Sequence, residues 1–408
     1  MKKISNLLIM ALLTIGMGLT SCDEQLDNAV TPYTPGVTPE SEVAVTGITL
    51  SETTLYKKVG DAAVTLTATV APDNADDKTL TWSSDNTAVA TVADGVVTIV
   101  GTGTALITAT AKDGSGVEAT CTVNVGLLAG KFSVDNGKQV QFSQGNLQAT
   151  TNDLGATWTW AFAEHQWDYV GNAAANANIN GDGTVSVNGT VDLFGWVGAS
   201  NTTWTGAAIY GISNSTNDAD YGTKKGSEGE TLKSDWGNTM STDWSTLTGA
   251  STTGWRTLTS DEWTYLLSTR ETGGTVFSTE KARYALATIN TDGTGVNGII
   301  LFPDGVDIAD SEVTTAGTVN STSDFATKCT SAQWTALEAK GCVFLPAAGY
   351  RQGTTVYTDG RGLYWSSSPS GSDAKNAYLW DFGSSALHPA YEYFRRYAFS
   401  VRLVRPVE

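Results

Sequence analysis

Histidine is almost missing from this sequence. His165 and His388 are the only two in 408 residues. That leaves few general bases and no His-rich metal cluster. Cysteine is nearly as scarce, at four, and no C-x-x-C pair occurs. Neither a zinc knuckle nor a dithiol redox site is encoded. Cys121 alternates with threonines and Val123 in a strand-like run, and reads as a small buried apolar residue. Cys329 and Cys342 flank a helix-like segment, Thr330 to Lys340. Such a helix holds its ends roughly 15 Å apart, while a disulfide needs Cα atoms within about 7 Å. The pair is expected to stay unbridged. Positive charge is also in deficit: 24 Lys plus Arg face 42 Asp plus Glu, a formal net charge of -18. Such a chain repels nucleic acid and anionic lipid, so no nucleic-acid partner is expected. Only 16% of residues are charged at all. With Gly, Thr, Ser, Ala and Asn in many positions, this suits β-rich extracellular domains better than helical cytosolic ones.

One apolar run, Leu7 to Leu19, follows the basic pair Lys2 and Lys3. It is of signal-peptide length and short for a membrane span. It ends Leu19-Thr20-Ser21-Cys22, which resembles a bacterial lipobox. The resemblance implies a signal peptide over residues 1–21 and lipidation of Cys22, with the membrane as a partner through that anchor. Asp23-Glu24 resembles the acidic surface-export signals of some gut lipoproteins. The expected location is therefore the outer membrane, lipid-anchored and facing outward. Residues 22–42 are polar, carry Pro32, Pro35 and Pro39, and read as an extended tether.

Residues 43–126 show short strand-like runs broken by glycines. Val64 to Val70 alternates apolar residues with threonine, and Ala71-Pro72-Asp73-Asn74-Ala75 is a turn cluster. About seven strands at this spacing predict a β-sandwich. The run T-W-S-S-D-N-x-x-V-A-T-V and the later G-x-G-x-A-x-I-T-A-T-A closely resemble the group 2 bacterial Ig-like domain. That resemblance implies a spacer more than a binding site.

Residues 127–408 hold most of the tryptophans. Thr259-Ser260-Asp261-Glu262 fits a capping box, and Trp263, Leu266 and Leu267 share one face, predicting a helix over Ser260 to Thr269. A second helix is predicted over Ser331 to Ala339. Short strands are expected at Gly298 to Phe302 and Val343 to Gly349. Residues 171–190 and 212–250 read as long loops, the latter punctuated by Tyr221, Trp236 and Trp244. Two helices among short strands and long loops indicate an α+β domain. G-W-R-T-L-T-S-D-E-W (Gly254 to Trp263), G-V-N-G-I-I-L-F-P-D (Gly295 to Asp304), V-F-L-P-A-A-G-Y-R (Val343 to Arg351), Y-W-S-S-S (Tyr364 to Ser368) and F-S-V-R-L-V (Phe399 to Val404) occur in this order. Together they resemble the Fibrobacter major paralogous domain, placed with the C-type-lectin-like fold. That fold also includes the formylglycine-generating enzymes and the variable proteins of diversity-generating retroelements. The expected architecture is multidomain: an all-β Ig-like sandwich, then an α+β C-type-lectin-like domain with long loops.

Formylglycine-generating relatives work through a pair of copper-binding cysteines, and no cysteine follows Cys342. Calcium-dependent lectins of this fold use a Glu-Pro-Asn or Gln-Pro-Asp loop with a Trp-Asn-Asp strand, and neither occurs. Asp359, Asp373 and Asp381 are scattered singles. No catalytic residue, metal or cofactor is expected, and His165 reads as structural. What remains is a run rich in the residue types that dominate binding hot spots: Tyr378, Trp380, Asp381, His388, Tyr391, Glu392, Tyr393, Phe394, Arg396 and Tyr397. Large polar-tipped neighbours cannot all point inward, so these are the candidate ligand-binding residues. Trp365, Phe382, Phe399, Val401 and Leu403 read as core, and Arg395 and Arg402 as framework pairing with carbonyls or acids. Phe399 to Arg405 alternates like a half-buried strand. In retroelement-diversified relatives, asparagine codons mutate at adenine in this region, which yields neither Glu nor Trp. Glu392 and Trp380 fit that scheme badly. Recognition of a protein or glycan is the leading reading. An enzyme acting on glycoconjugates or sulfatases, and a structural cell-surface or fimbrial component, are the alternatives.

Overall fold

Nine short strands come first in the computed structural model, which describes residues 42–233, 255–291, 293–309, 312, 318–322 and 325–407. The signal segment, Cys22, nearly all of the tether, Trp236, Trp244 and Gly254 lie outside the described residues. Four strands pair in the order Thr54–Lys57, Glu118–Val125, Gly103–Ala111, Leu80–Ser84. Three more pair as Val64–Thr65, Val96–Ile99, Ala90–Ala93, and Gly47–Leu50 pairs with Ala68–Ala71. The expected single strand Val64 to Val70 is thus two, serving different sheets. Leu66 turns inward between them, and its N–H donates to the Gly95 carbonyl at 2.8 Å. Gly95 sits at φ +80°, where a Cβ would lie 2.7 Å from the Leu66 carbonyl oxygen, so only glycine fits. Leu66, Val89, Val97, Ile107, Cys121 and Val123 fill the core, with Trp82 against its edge. Burial pushes the Cys121 thiol up to about 11, as expected for an inert packing residue.

The remaining strands form several small sheets around two larger cores. The first, Phe132–Asp135, Lys138–Phe142 and Val404–Pro406, pairs the entry of this region with its exit: Val140 faces Pro406 and Phe142 faces Val404. A four-stranded sheet runs Thr327–Thr330, Tyr284–Thr291, Thr294–Leu301, Val343–Pro346. The helix Ser331–Ala339 has the expected bounds, because Thr330 and Gln333 cap it reciprocally. Cys329 and Cys342, on either side of it, are buried free thiols.

The other predicted helix is α-helical only over Ser260–Thr264. Tyr265–Thr269 winds wider, with the Arg270 N–H reaching back to the Tyr265 carbonyl at 2.8 Å. The extra residue turns Leu266 and Leu267 both into the core. It also delivers the buried Arg270 to Asp304 and to the carbonyls of Phe302 and Arg283. The capping box is present: the Glu262 N–H donates to Thr259 Oγ1 at 3.2 Å, and the Thr259 N–H donates to Glu262 Oε2 at 2.9 Å. Replacing Thr259 by alanine should cost about 1 kcal/mol, read as a lower urea midpoint with an unchanged slope.

Residues 43–408 form one compact unit, and polar side chains tie the Ig-like part to the C-terminal region. Lys58 Nζ meets Glu338 Oε2 at 2.6 Å, and Gln166 donates to Glu338 Oε1 at 2.9 Å. The buried Arg402 then donates to Gln166 Oε1 at 2.7 Å and to Asn146 at 3.2 Å. This corrects the expected half-buried strand at Phe399 to Arg405. Both sets of side chains are inside, because Ser400, Arg402 and Val404 face protein instead of water.

Candidate functional site

The candidate run lies on a three-stranded antiparallel sheet ordered Gly362–Pro369, Asn376–Gly383, Ala386–Phe394. Over Leu363 to Trp365 and Leu379 to Phe382 its first two strands are buried on both faces. Leu363, Trp365, Ala377 and Leu379 join one core, while Tyr364, Trp380 and Phe382 join the other. Central strands packed on both sides lose alternation, which is why periodicity could not sort this stretch. The strand Ala386–Phe394 is the edge. Leu379 faces Tyr391, but Asp381 already faces His388, so the outer strand carries one extra residue at Pro389-Ala390. Proline lacks a backbone donor, and an edge bulge is where a strand tolerates it.

Three candidates are corrected by their position. Trp380 is fully buried, its ring 5.0 Å from Trp263 and 4.8 Å from Phe382. The helix Ser260–Thr264 covers that face, so the indole cannot meet a ligand. Asp381 is buried to 4% exposure and accepts from Arg361 Nε at 3.2 Å and from Arg361 Nη2. Tyr397 is 9% exposed, edge-on beneath Tyr393 at 4.8 Å. The framework reading of Arg395 holds: it is fully buried and bonds the Asn376 and Lys224 carbonyls, each at 3.0 Å.

The other candidates are at the surface. Tyr391 is 40% and Phe394 36% exposed, and His388 leans on Tyr391 at 5.5 Å. Tyr393 is half-buried, 6.0 Å from Tyr391. Arg396 lies 4.2 Å over the Phe394 ring and is ion-paired to Asp218. Tyr378 and Glu392 face each other on the opposite side of the sheet. Their hydrogen bond, before burial, holds the Tyr378 phenol above its ordinary value.

Two residues that sequence reasoning missed extend the surface. The hairpin Tyr350–Gln352 and Thr355–Tyr357 pairs with Tyr397–Ala398. It stacks Tyr357 on Tyr350 at 4.8 Å and brings Tyr350 to within 5.9 Å of Tyr397. Tyr357 is 40% exposed. The rings therefore run Tyr357, Tyr350, Tyr397, Tyr393, Tyr391, His388, high at the two ends and recessed in the middle. Nothing near Tyr350 in the sequence announces this, since Tyr393 and Tyr397 lie far downstream. Burial raises the Tyr393 phenol, with Tyr397 and Tyr350 adding and Arg361 opposing. Burial and then Asp359 raise Tyr350. These two phenols stay neutral at physiological pH.

The arrangement offers ring faces and hydroxyls. His388 Nδ1 stands 3.8 Å from Asp381 Oδ2, too far for a hydrogen bond, and Arg361 occupies that carboxylate. His165 lies elsewhere, stacked on Trp167 at 4.7 Å and 3.0 Å from Asp168.

Residues 44–123 match the bacterial Ig-like domain, group 2, which is therefore present here. That module is non-catalytic. Among curated proteins, an uncharacterised protein of Clostridium acetobutylicum is 44% identical over 88 residues, 21% of this chain and 9% of its own length. An α-L-arabinofuranosidase of Bifidobacterium longum is 42% identical over 118 residues, 27% of this chain and 11% of its own. An Ig-like virion protein of Serratia phage KSP90 is 38% identical over 113 residues, 27% of this chain and 43% of its own. The chain thus spans about a tenth of the first two relatives and under half of the third. These likenesses point to a surface or structural Ig-like module.

Proposed function

We propose that this is a lipid-anchored outer-membrane protein that recognises a ligand through its C-terminal region. Cys22 carries the anchor, the Ig-like domain is a spacer, and residues 127–408 form a C-type-lectin-like domain. The observation that carries this reading is the tyrosine row, displayed on an edge strand whose neighbours are locked between two cores. A rigid frame lowers the entropy cost of binding, and tyrosine combines area with a hydroxyl. The paired entry and exit strands, Lys138–Phe142 with Val404–Pro406, support the lectin-like fold. If retroelement diversification operates on this stretch, the buried Trp380 belongs to the frame and outside the varied set.

On an array of glycans and extracellular proteins, replacing Tyr391, Tyr393 or Arg396 by alanine should weaken a detected interaction by about tenfold or more each. The melting temperature of Tyr391→Ala should stay near the parent's, because that ring is exposed. Unchanged binding in all three variants would sink the proposal.

A further inference from the structure

We infer that the ligand of the tyrosine row is an uncharged, hydroxyl-rich glycan chain. The inference rests on the recognition reading above and narrows it. Three observations lead there.

The first is shape. Successive rings along the row stand 4.8 to 6.0 Å apart. Tyr357 and Tyr391 are exposed, and Tyr350 and Tyr393 are half-buried between them. A contiguous run of rings spaced on the scale of one sugar residue suits a chain more than a compact ligand. The apolar C–H faces of pyranose rings pack on such aromatic faces.

The second is hydrogen-bonding capacity. The hydroxyls of Tyr350, Tyr357, Tyr391 and Tyr393 make no hydrogen bond to other described residues, and Tyr357 and Tyr391 are each 40% exposed. Each is both donor and acceptor. Several such groups along one run of rings match a ligand that presents hydroxyls at every step. A purely apolar ligand would leave them unpaired.

The third is charge. The two guanidinium groups that touch the row are already neutralised, Arg361 by Asp381 and Arg396 by Asp218. The chain carries a formal charge of -18. A sulfated or uronic-acid polymer would meet repulsion, with no free cation among the described residues of the row to offset it. An uncharged polymer meets neither.

The test is affinity electrophoresis of the full chain in gels containing mannan, xylan, β-glucan, heparin or polygalacturonate. Extracellular-matrix proteins stripped of their glycans are immobilised alongside. Retardation is expected with at least one neutral polysaccharide and with neither polyanion, little changed up to about 0.5 M salt. Tyr357→Ala and Tyr391→Ala should each weaken it by about tenfold. Tyr391→Phe separates the two contributions: it keeps the ring, so a several-fold loss there reports the hydroxyl. If no neutral polysaccharide is retarded while a stripped protein binds in a Tyr391-dependent way, the glycan inference falls and the recognition reading stands. Preferential binding to heparin or polygalacturonate also overturns it. If no interaction depends on Tyr391 or Tyr357, both readings fall.

Discussion

Replacing Trp380 by alanine should destabilise the protein by about 4 kcal/mol, near the upper range for buried aromatics. Trp380 is fully buried, and its ring contacts Trp263, Phe382 and Tyr364, the last at 5.7 Å. Alanine leaves a void between the sheet and the helix Ser260–Thr264, where neighbours held on two separate elements cannot collapse together. Trp380→Phe is the informative companion. The indole Nε1 makes no hydrogen bond in the structure, so phenylalanine loses area but no polar partner and should cost well under half as much. Chemical denaturation of both variants checks this. A Trp380→Ala protein as stable as the parent, with a glycan- or protein-binding defect instead, would return Trp380 to the ligand surface.

Arg395 carries the second large effect. Its guanidinium lies 4.5 Å over Trp196, 3.3 Å from Glu230 Oε2, and bonds the carbonyls of Asn376 and Lys224. One side chain thus fastens the long loop between residues 196 and 233 to the end of the edge strand. Burial lowers the Arg395 pKa, and the Glu230 charge works against that. Burial alone would raise Glu230, but Ser200 and Arg395 hold it below its ordinary value. Both partners are therefore charged, and Arg395→Ala strands a buried carboxylate. The expected cost is about 3–5 kcal/mol. Adding Glu230→Gln to that variant should recover about 1 kcal/mol or more by removing the orphaned charge. Lysine at 395 should not rescue, because an ammonium cannot reach two carbonyls, a carboxylate and an indole face at once. No recovery in the double variant would show that the charge pair is not what the loop depends on.

The parts of the fold that were legible were those governed by neighbours in sequence. Thr259 with Glu262 and Thr330 with Gln333 set helix starts within one turn, so both starts could be read directly. The Ig-like strands announced themselves because one face of each meets solvent. What failed depended on distant partners. Alternation put Ser400 and Val404 on a wet face, and although Arg402 read as framework, the partners that close over it, Asn146 and Gln166, lie 256 and 236 residues upstream. Trp380 looked like a binding residue because tryptophan is common at interfaces. Its alternation with Phe382 was masked by burial of Leu379 and Asp381 on the other face. Within the candidate run, composition singled out Tyr391, Tyr393, Phe394 and His388, which the structure leaves exposed or half-buried. Tyr350 and Tyr357 could not be, since only the hairpin's pairing with Tyr397–Ala398 brings them alongside.

The Ig-like sheet has a mechanical consequence. Thr54–Lys57, near the start of the domain, runs parallel to Glu118–Val125 at its end, with Thr54 opposite Thr122 and Lys57 opposite Val125. Tension applied between residue 43 and the C-terminal region pulls these two strands lengthwise past each other. Their hydrogen bonds are then loaded side by side and must yield together. An antiparallel pair pulled from adjacent ends would open one bond at a time. A module built this way resists stretching between its two ends better than a hairpin opened from its tip.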